Sequence, residues 1–177
     1  MFVSEIGKER PVVDKNSTEC KVLDRLDKLK IDYDILTSDP AHTMEQCINV
    51  DKKLGVTVWK SIFLCNQKKS SFYLLVMPPF KEVDTKVLEK RIGIKLSFAS
   101  EENMVKHLGT RPGSATVMAI INDLDDYVQV LVDKEVMGSD MFGCNPGINT
   151  IHLRLKTSDV MNKYIPSTHH RIKIIEL

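Results

Sequence analysis

Apolar and polar positions along this chain follow two periods. Val22, Leu23, Leu26 and Leu29 recur at helical spacing with charges between them, which predicts an amphipathic helix over residues 19–30 lying on a sheet. Residues 31–36 then predict a short edge strand. Thr43-Met44-Glu45-Gln46 has the form of a capping box, with Thr43 accepting a backbone N–H and Gln46 reaching back, and it opens a second helix that ends near Gly55. Two apolar runs at 61–66 and 71–77, separated by Gln67-Lys68-Lys69-Ser70, predict a hairpin that Pro78-Pro79 terminates. Residues 84–92 and 101–108 predict helices capped by Asp84 and Ser100, with Gly109 as the left-handed stop after the second and a brief strand at 95–98 between them. The β-type runs at 117–121 and 127–132, joined by Asn122-Asp123-Leu124-Asp125-Asp126, predict a second hairpin. A strand at 150–155, a helix starting at Thr157-Ser158-Asp159 and a closing strand at 171–176 complete the pattern. Together these give a mixed α/β fold with helices outside the sheet. With no repeat, low-complexity stretch or linker, one domain over residues 1–177 is expected.

Composition narrows the class. The chain has 177 residues, 42% hydrophobic and 28% charged, which suits a soluble globular domain with a core of its own. No apolar run approaches the roughly 20 residues of a membrane helix. The opening Met1-Phe2-Val3-Ser4-Glu5 lacks a sustained apolar core, so no signal peptide is read and a cytoplasmic location is expected. Cys20, Cys47, Cys65 and Cys144 show neither C-x-x-C pairing nor a zinc-finger spacing, so free and mostly buried thiols are expected, and no metal. His169-His170 reads as a surface turn. The net charge of +1 hides an asymmetry: residues 51–95 hold ten Lys/Arg against four Asp/Glu, residues 96–143 three against eight. The +6 stretch is able to steer a phosphate backbone, or is a set of solvated lysines.

Three segments offer chemistry. Val58-Trp59-Lys60-Ser61-Ile62-Phe63-Leu64 sets one lysine at the start of a strand otherwise apolar, either as a working cation or as a lysine snorkelling to water. Leu108 to Thr116 packs Gly109, Pro112, Gly113, Ser114 and Ala115 into one loop, where small residues let backbone N–H groups approach a carbonyl oxygen closely, unless it is an ordinary turn. Cys144-Asn145-Pro146-Gly147-Ile148-Asn149-Thr150 offers two carboxamides and a hydroxyl, though asparagine is also common in such turns. Ser114 has no histidine and acid partners in a nucleophile-elbow pattern, and the loop lacks nucleotide-phosphate spacing. Asp123, Asp125 and Asp126 read as a solvated turn.

In their order and spacing, Lys60, the 108–116 loop, Lys95 to Glu102 and the 145–150 segment resemble the YbaK/ProX family of prolyl-tRNA editing proteins, the free-standing prolyl-tRNA synthetase-associated domain. The resemblance runs from about Glu19 to Leu177. It implies a barrel-like mixed β-sheet surrounded by helices and a metal-independent aminoacyl-tRNA hydrolase, without cofactor, acting on mischarged tRNA(Pro), most readily Ala-tRNA(Pro). Lys60, Gly113 and Ser114 would carry catalysis, and Thr43, Ala115, Asn145 and Asn149 would bind substrate. The partner is the tRNA(Pro) acceptor end, with prolyl-tRNA synthetase or an elongation factor as transient partners and no membrane. Two positions depart from the family pattern: the loop ends in Val117 where G-x-x-x-P is usual, and Asn145 stands where a histidine commonly precedes the proline. The alternatives are the same fold clearing Ser-, Thr- or Cys-tRNA, or a non-catalytic module that binds an amino acid or aminoacyl-tRNA.

Overall fold

Most caps and periodicities reappear in the fold. The computed structural model describes residues 1–41 and 44–177, the side chains of positions 44 and 45 excepted. The helix α1 (Thr18–Lys28) starts at Ser17, whose hydroxyl accepts from Cys20 N. It leads into β1 (Tyr33–Thr37) and then α2 (Met44–Leu54). The strands β2 (Lys60–Asn66) and β3 (Phe72–Met77) form the predicted hairpin, antiparallel with Lys60 opposite Met77. The helix α3 (Thr85–Ile92) is capped by Asp84, α4 (Glu101–Leu108) by Ser100, and β4 (Leu96–Phe98) lies between them on β2. Gly109 closes α4 at φ +61°, where a Cβ would stand 2.7 Å from Thr18 Oγ1.

The second expected hairpin does not form. Val117–Asn122 is a 3₁₀ helix, capped by Thr116, with Val117, Met118, Ala119 and Ile120 all buried. Short apolar runs do not reveal their period when every side is covered, which is how this segment mimics a strand. The strand β5 (Val128–Asp133) instead runs parallel to β3, and α5 (Lys134–Met137) follows it. Two strands then pair antiparallel, β6 (Met141–Cys144) and β7 (Ile151–Lys156). The helix expected at Thr157 consists of α6 (Thr157–Asp159), a π turn at Val160–Tyr164 and α7 (Ile165–Ser167). The strand β8 (Ile172–Ile175) closes the chain, parallel to β5.

The strands make two sheets, β1-β7-β6 and the mixed β4-β2-β3-β5-β8. The larger sheet is covered on both faces. Phe72, Leu74 and Val76 of β3 point into the main core with α1, the 3₁₀ segment and the smaller sheet, while Tyr73, Leu75 and Met77 meet Leu88 of α3. Leu36, Val50 and Leu54 fasten α2 to the smaller sheet. Among the described residues no helix is long and apolar enough to cross a membrane.

Beside the core that the two sheets share, a parallel bridge from Val58 to Gly143 joins the entry of β2 to the smaller sheet, with Trp59 N donating to Gly143 O at 3.0 Å. This approach requires glycine, because a Cβ on Gly143 would lie 2.5 Å from Thr57 O and 3.0 Å from Val58 Cα. Neither neighbour is a flexible side chain, so Gly143→Ala is expected to cost about 1–3 kcal/mol by forced backbone displacement. Urea denaturation would measure it, and a variant as stable as the parent would contradict the close approach.

Two local readings are corrected. His170 is buried rather than at the surface, its ring bonded to Asp123 Oδ2 and Thr168 Oγ1 at 3.0 Å each. Asp123 is likewise buried rather than solvated, and its carboxylate accepts from the amides of Tyr127 and Val128. The free cysteines are mostly buried, as expected: Cys20, Cys65 and Cys144 are buried and Cys47 is exposed.

Candidate functional site

A cavity of about 310 Å³ opens beside the start of β2. Its described wall takes Cys47, Ile48 and Asp51 from α2 and Val58 to Ser61 from the entry of β2. Pro79 and Phe80 come from the turn after β3, and His152 from β7. Gly113, Ala115, Asn145 and Asn149 complete it from two loops. Thus Lys60, Gly113, Ala115, Asn145 and Asn149, far apart in sequence, meet on one surface. Ser114 is not part of this wall, and Thr43 lies outside the described residues.

Lys60 Nζ donates to the carbonyl oxygen of Lys81, and burial lowers its pKa from the ordinary lysine value, with Glu82 opposing the shift. The turn that offers this carbonyl is itself clamped. Lys81 N donates to Pro78 O at 3.3 Å, and Lys81 Nζ reaches Asp133 Oδ2 at 2.9 Å and Glu135 Oε1 at 2.8 Å. Lys60 is therefore positioned by a neutral acceptor, an arrangement in which an ammonium is able to meet an anion or a developing oxyanion.

The small-residue loop turns at Gly113, φ +87°, and the Ser114 amide is consumed within it, donating to Arg111 O at 2.9 Å. The Ser114 amide is thus committed to the loop itself. The amides of Gly113 and Ala115 have no acceptor among the described residues, and both residues line the cavity. Thr116 then ties the site together: its hydroxyl accepts from Met118 N at 3.2 Å and donates to Asn145 O at 2.8 Å. Val117, at the position of the family's proline, is fixed as the buried first residue of the 3₁₀ helix. Asn145 Oδ1 accepts from Gly147 N at 2.9 Å, which leaves the carboxamide Nδ2 as its free donor.

Residues 38–163 match the family described as the aminoacyl-tRNA editing domain. The chain belongs to the aminoacyl-tRNA editing domain family. The YbaK/ProX resemblance read from Lys60 and the two loops agrees with this assignment. The chain is 32% identical over 157 residues to the prolyl-tRNA editing protein ProX of Acetoanaerobium sticklandii, covering 88% of this chain and 95% of that one. It is 24% identical over 148 residues to the prolyl-tRNA synthetase associated domain-containing protein 1 of Danio rerio, covering 82% and 79%. Among solved structures, a candidate trans-editing enzyme for prolyl tRNA synthetase superposes with a TM-score of 0.65 over 90% of this chain and 97% of that one. At 12% identity that likeness concerns the fold alone.

The editing domain also places groups in the cavity that sequence reasoning missed. His152 is buried, opposite Leu36 in the β1–β7 ladder, and its Nε2 meets Ser38 Oγ at 2.9 Å. Ser38 Oγ donates to Asp39 O, so His152 Nε2 carries the proton and Nδ1 remains an acceptor. Burial pushes its pKa down to about 4, which keeps the ring neutral near pH 7. Asp51, half-buried near the end of α2, is pushed up to about 6 by desolvation. Neither stands out in the sequence: Asp51 sits among the polar residues of an amphipathic helix, and His152 in an alternating strand.

Proposed function

We propose that this editing domain, taken as one unit over residues 1–177, is a trans-editing deacylase. It hydrolyses the ester of mischarged tRNA(Pro), with alanine as the favoured amino acid. The observation that supports this most is the convergence of one partly buried lysine with the open amides of Gly113 and Ala115 on a cavity of about 310 Å³. That volume is at the small end of ligand pockets and suits an aminoacyl group with its ribose.

In the reaction a water adds to the ester carbonyl and the carbonyl oxygen becomes an oxyanion. The bond to the terminal ribose oxygen then breaks, and that oxygen takes up a proton. The amides of Gly113 and Ala115 are the donors for the oxyanion, Lys60 fixes the 3′ end through a phosphate or ribose oxygen, and the ribose's vicinal hydroxyl helps activate water. Positioning and oxyanion stabilisation are the means, and no protein nucleophile is required. Asn145 Nδ2 and Asn149 hold the amino acid from the far side.

Discrimination of alanine from proline comes from pocket shape, worth about 1–3 kcal/mol per methylene. The exposed Lys68 and Lys69 sit at the opposite end of β2 from Lys60, about 20 Å away by strand rise, so the basic stretch supplies long-range attraction rather than one patch at the cavity. The cytoplasm is the proposed site of action, with prolyl-tRNA synthetase or an elongation factor as transient partners. The test is release of labelled amino acid from Ala-tRNA(Pro) and Pro-tRNA(Pro) by the purified protein. Alanine should leave at least about tenfold faster than proline. Release from neither, nor from Ser-, Thr- or Cys-tRNA, would reject the reading.

A further inference from the structure

The mechanism above leaves one charged wall group without a role. Among the described lining residues, Lys60 is the sole formal cation and Asp51 the sole anion. Asp51 is held rigidly. It lies one turn before the end of α2, whose last carbonyl, Leu54 O, accepts from Arg154 Nη1 at 2.9 Å, and Arg154 is anchored on Asp34. The one donor its carboxylate meets among the described residues is Val58 N, at 3.3 Å to Oδ1, and no described cation lies within ion-pair distance. The cavity it lines also carries the apolar Ile48, Val58, Trp59 and Phe80. A carboxylate desolvated there without a counter-ion is costly, and burial indeed pushes it up to about 6. A cation brought by the ligand would offset that cost.

We infer that Asp51 is the docking point for the α-ammonium group of the aminoacyl ester. The inference rests on the editing reading and adds to it a second class of discrimination. An aminoacyl ester carries its ammonium on the carbon next to the carbonyl, so Asp51 and the loop amides would fix the amino acid at two points and orient the carbonyl toward its donors. An N-acylated substrate, such as a peptidyl-tRNA, lacks the cation and would leave the Asp51 carboxylate unpaired. The pocket thereby selects free aminoacyl esters and spares peptidyl and N-blocked ones.

The test is single-turnover deacylation of Ala-tRNA(Pro) and N-acetyl-Ala-tRNA(Pro) by the wild type and by Asp51→Asn. Asparagine keeps the oxygen that accepts from Val58 N and removes the charge, and a thermal melt of both proteins checks the fold. The wild type should prefer the free amine by at least about tenfold, as expected for a charge-assisted hydrogen bond. Asp51→Asn should lose about tenfold or more on Ala-tRNA(Pro), change little on the acetylated substrate, and so lose the preference. If the variant keeps the wild-type preference, or slows equally on both substrates, the Asp51 assignment is overturned while editing stands. A wild type inactive on every aminoacyl-tRNA overturns both.

Discussion

Replacing Lys60 with alanine is expected to lower kcat/KM for Ala-tRNA(Pro) deacylation by about a hundredfold or more, the usual loss when one preorganised donor is removed from a reacting site. The unfolding midpoint should move little. Lys60 opens β2 where its side chain is only partly buried, and its protein partner is a single carbonyl, Lys81 O, on a turn held independently by Asp133 and Glu135. Removing the ammonium therefore leaves the scaffold intact and takes away the cavity's only described cation. Lys60→Arg keeps the charge but replaces a compact point donor with a wider planar fork, so it should recover only part of the activity. Salt dependence separates the two roles open to the ammonium. If Nζ meets a tRNA phosphate, the slope of log(kcat/KM) against log salt should fall by about one in Lys60→Ala. If it acts at the ester, kcat falls with the slope unchanged. Full activity in Lys60→Ala would remove the residue from the mechanism.

The parts of this site that were legible in the sequence are those governed by local rules. Asp84 and Ser100 cap their helices because short polar side chains accept from the free amides of a first turn, and Gly109 ends α4 with a positive φ. Lys60 stood out because a cation beginning an apolar strand violates the local pattern. What stayed hidden depends on contacts distant in sequence. The bridge through Gly143 that brings β6 beside Trp59 and Lys60 comes from a four-residue strand with glycine inside it, too short for a periodic signal. Asp51 and His152 acquire their shifted acidities only after folding has removed water from around them. The Ser114 amide is closed to a ligand for a reason no motif contains: it is already spent on Arg111 O. The parallel pairing of β5 with β3 likewise required knowledge of the crossover through α3, β4 and α4, whereas the aspartate-rich 122–126 segment imitates a hairpin turn.

That same segment contains the residue whose loss should damage the fold most. Asp123→Ala is expected to cost about 3–5 kcal/mol, because it removes the shared acceptor of three buried hydrogen bonds and each donor left unsatisfied costs about 1–3 kcal/mol. Asp123 Oδ1 accepts from Tyr127 N at 3.2 Å, and Oδ2 from Val128 N at 2.7 Å and from His170 Nε2 at 3.0 Å. One carboxylate thus joins the end of the 3₁₀ helix to the start of β5 and to the segment entering β8. Its truncation would leave two amides and a buried imidazole without acceptors, while Thr168 Oγ1 still faces the other ring nitrogen. Asp123→Asn retains one acceptor oxygen and should lose less. The pH dependence has a definite sign. The hydrogen bond to His170 and the two amides outweigh desolvation and hold the Asp123 pKa below its ordinary value. Its contribution is therefore complete above the unfolded value of about 4 and is lost as pH falls through the lower folded value. Urea denaturation of wild type and Asp123→Ala at pH 7 and again near pH 3 would show the gap in stability narrowing toward acid. A gap that is small at pH 7, or constant with pH, would mean that the carboxylate is not the joint these distances describe.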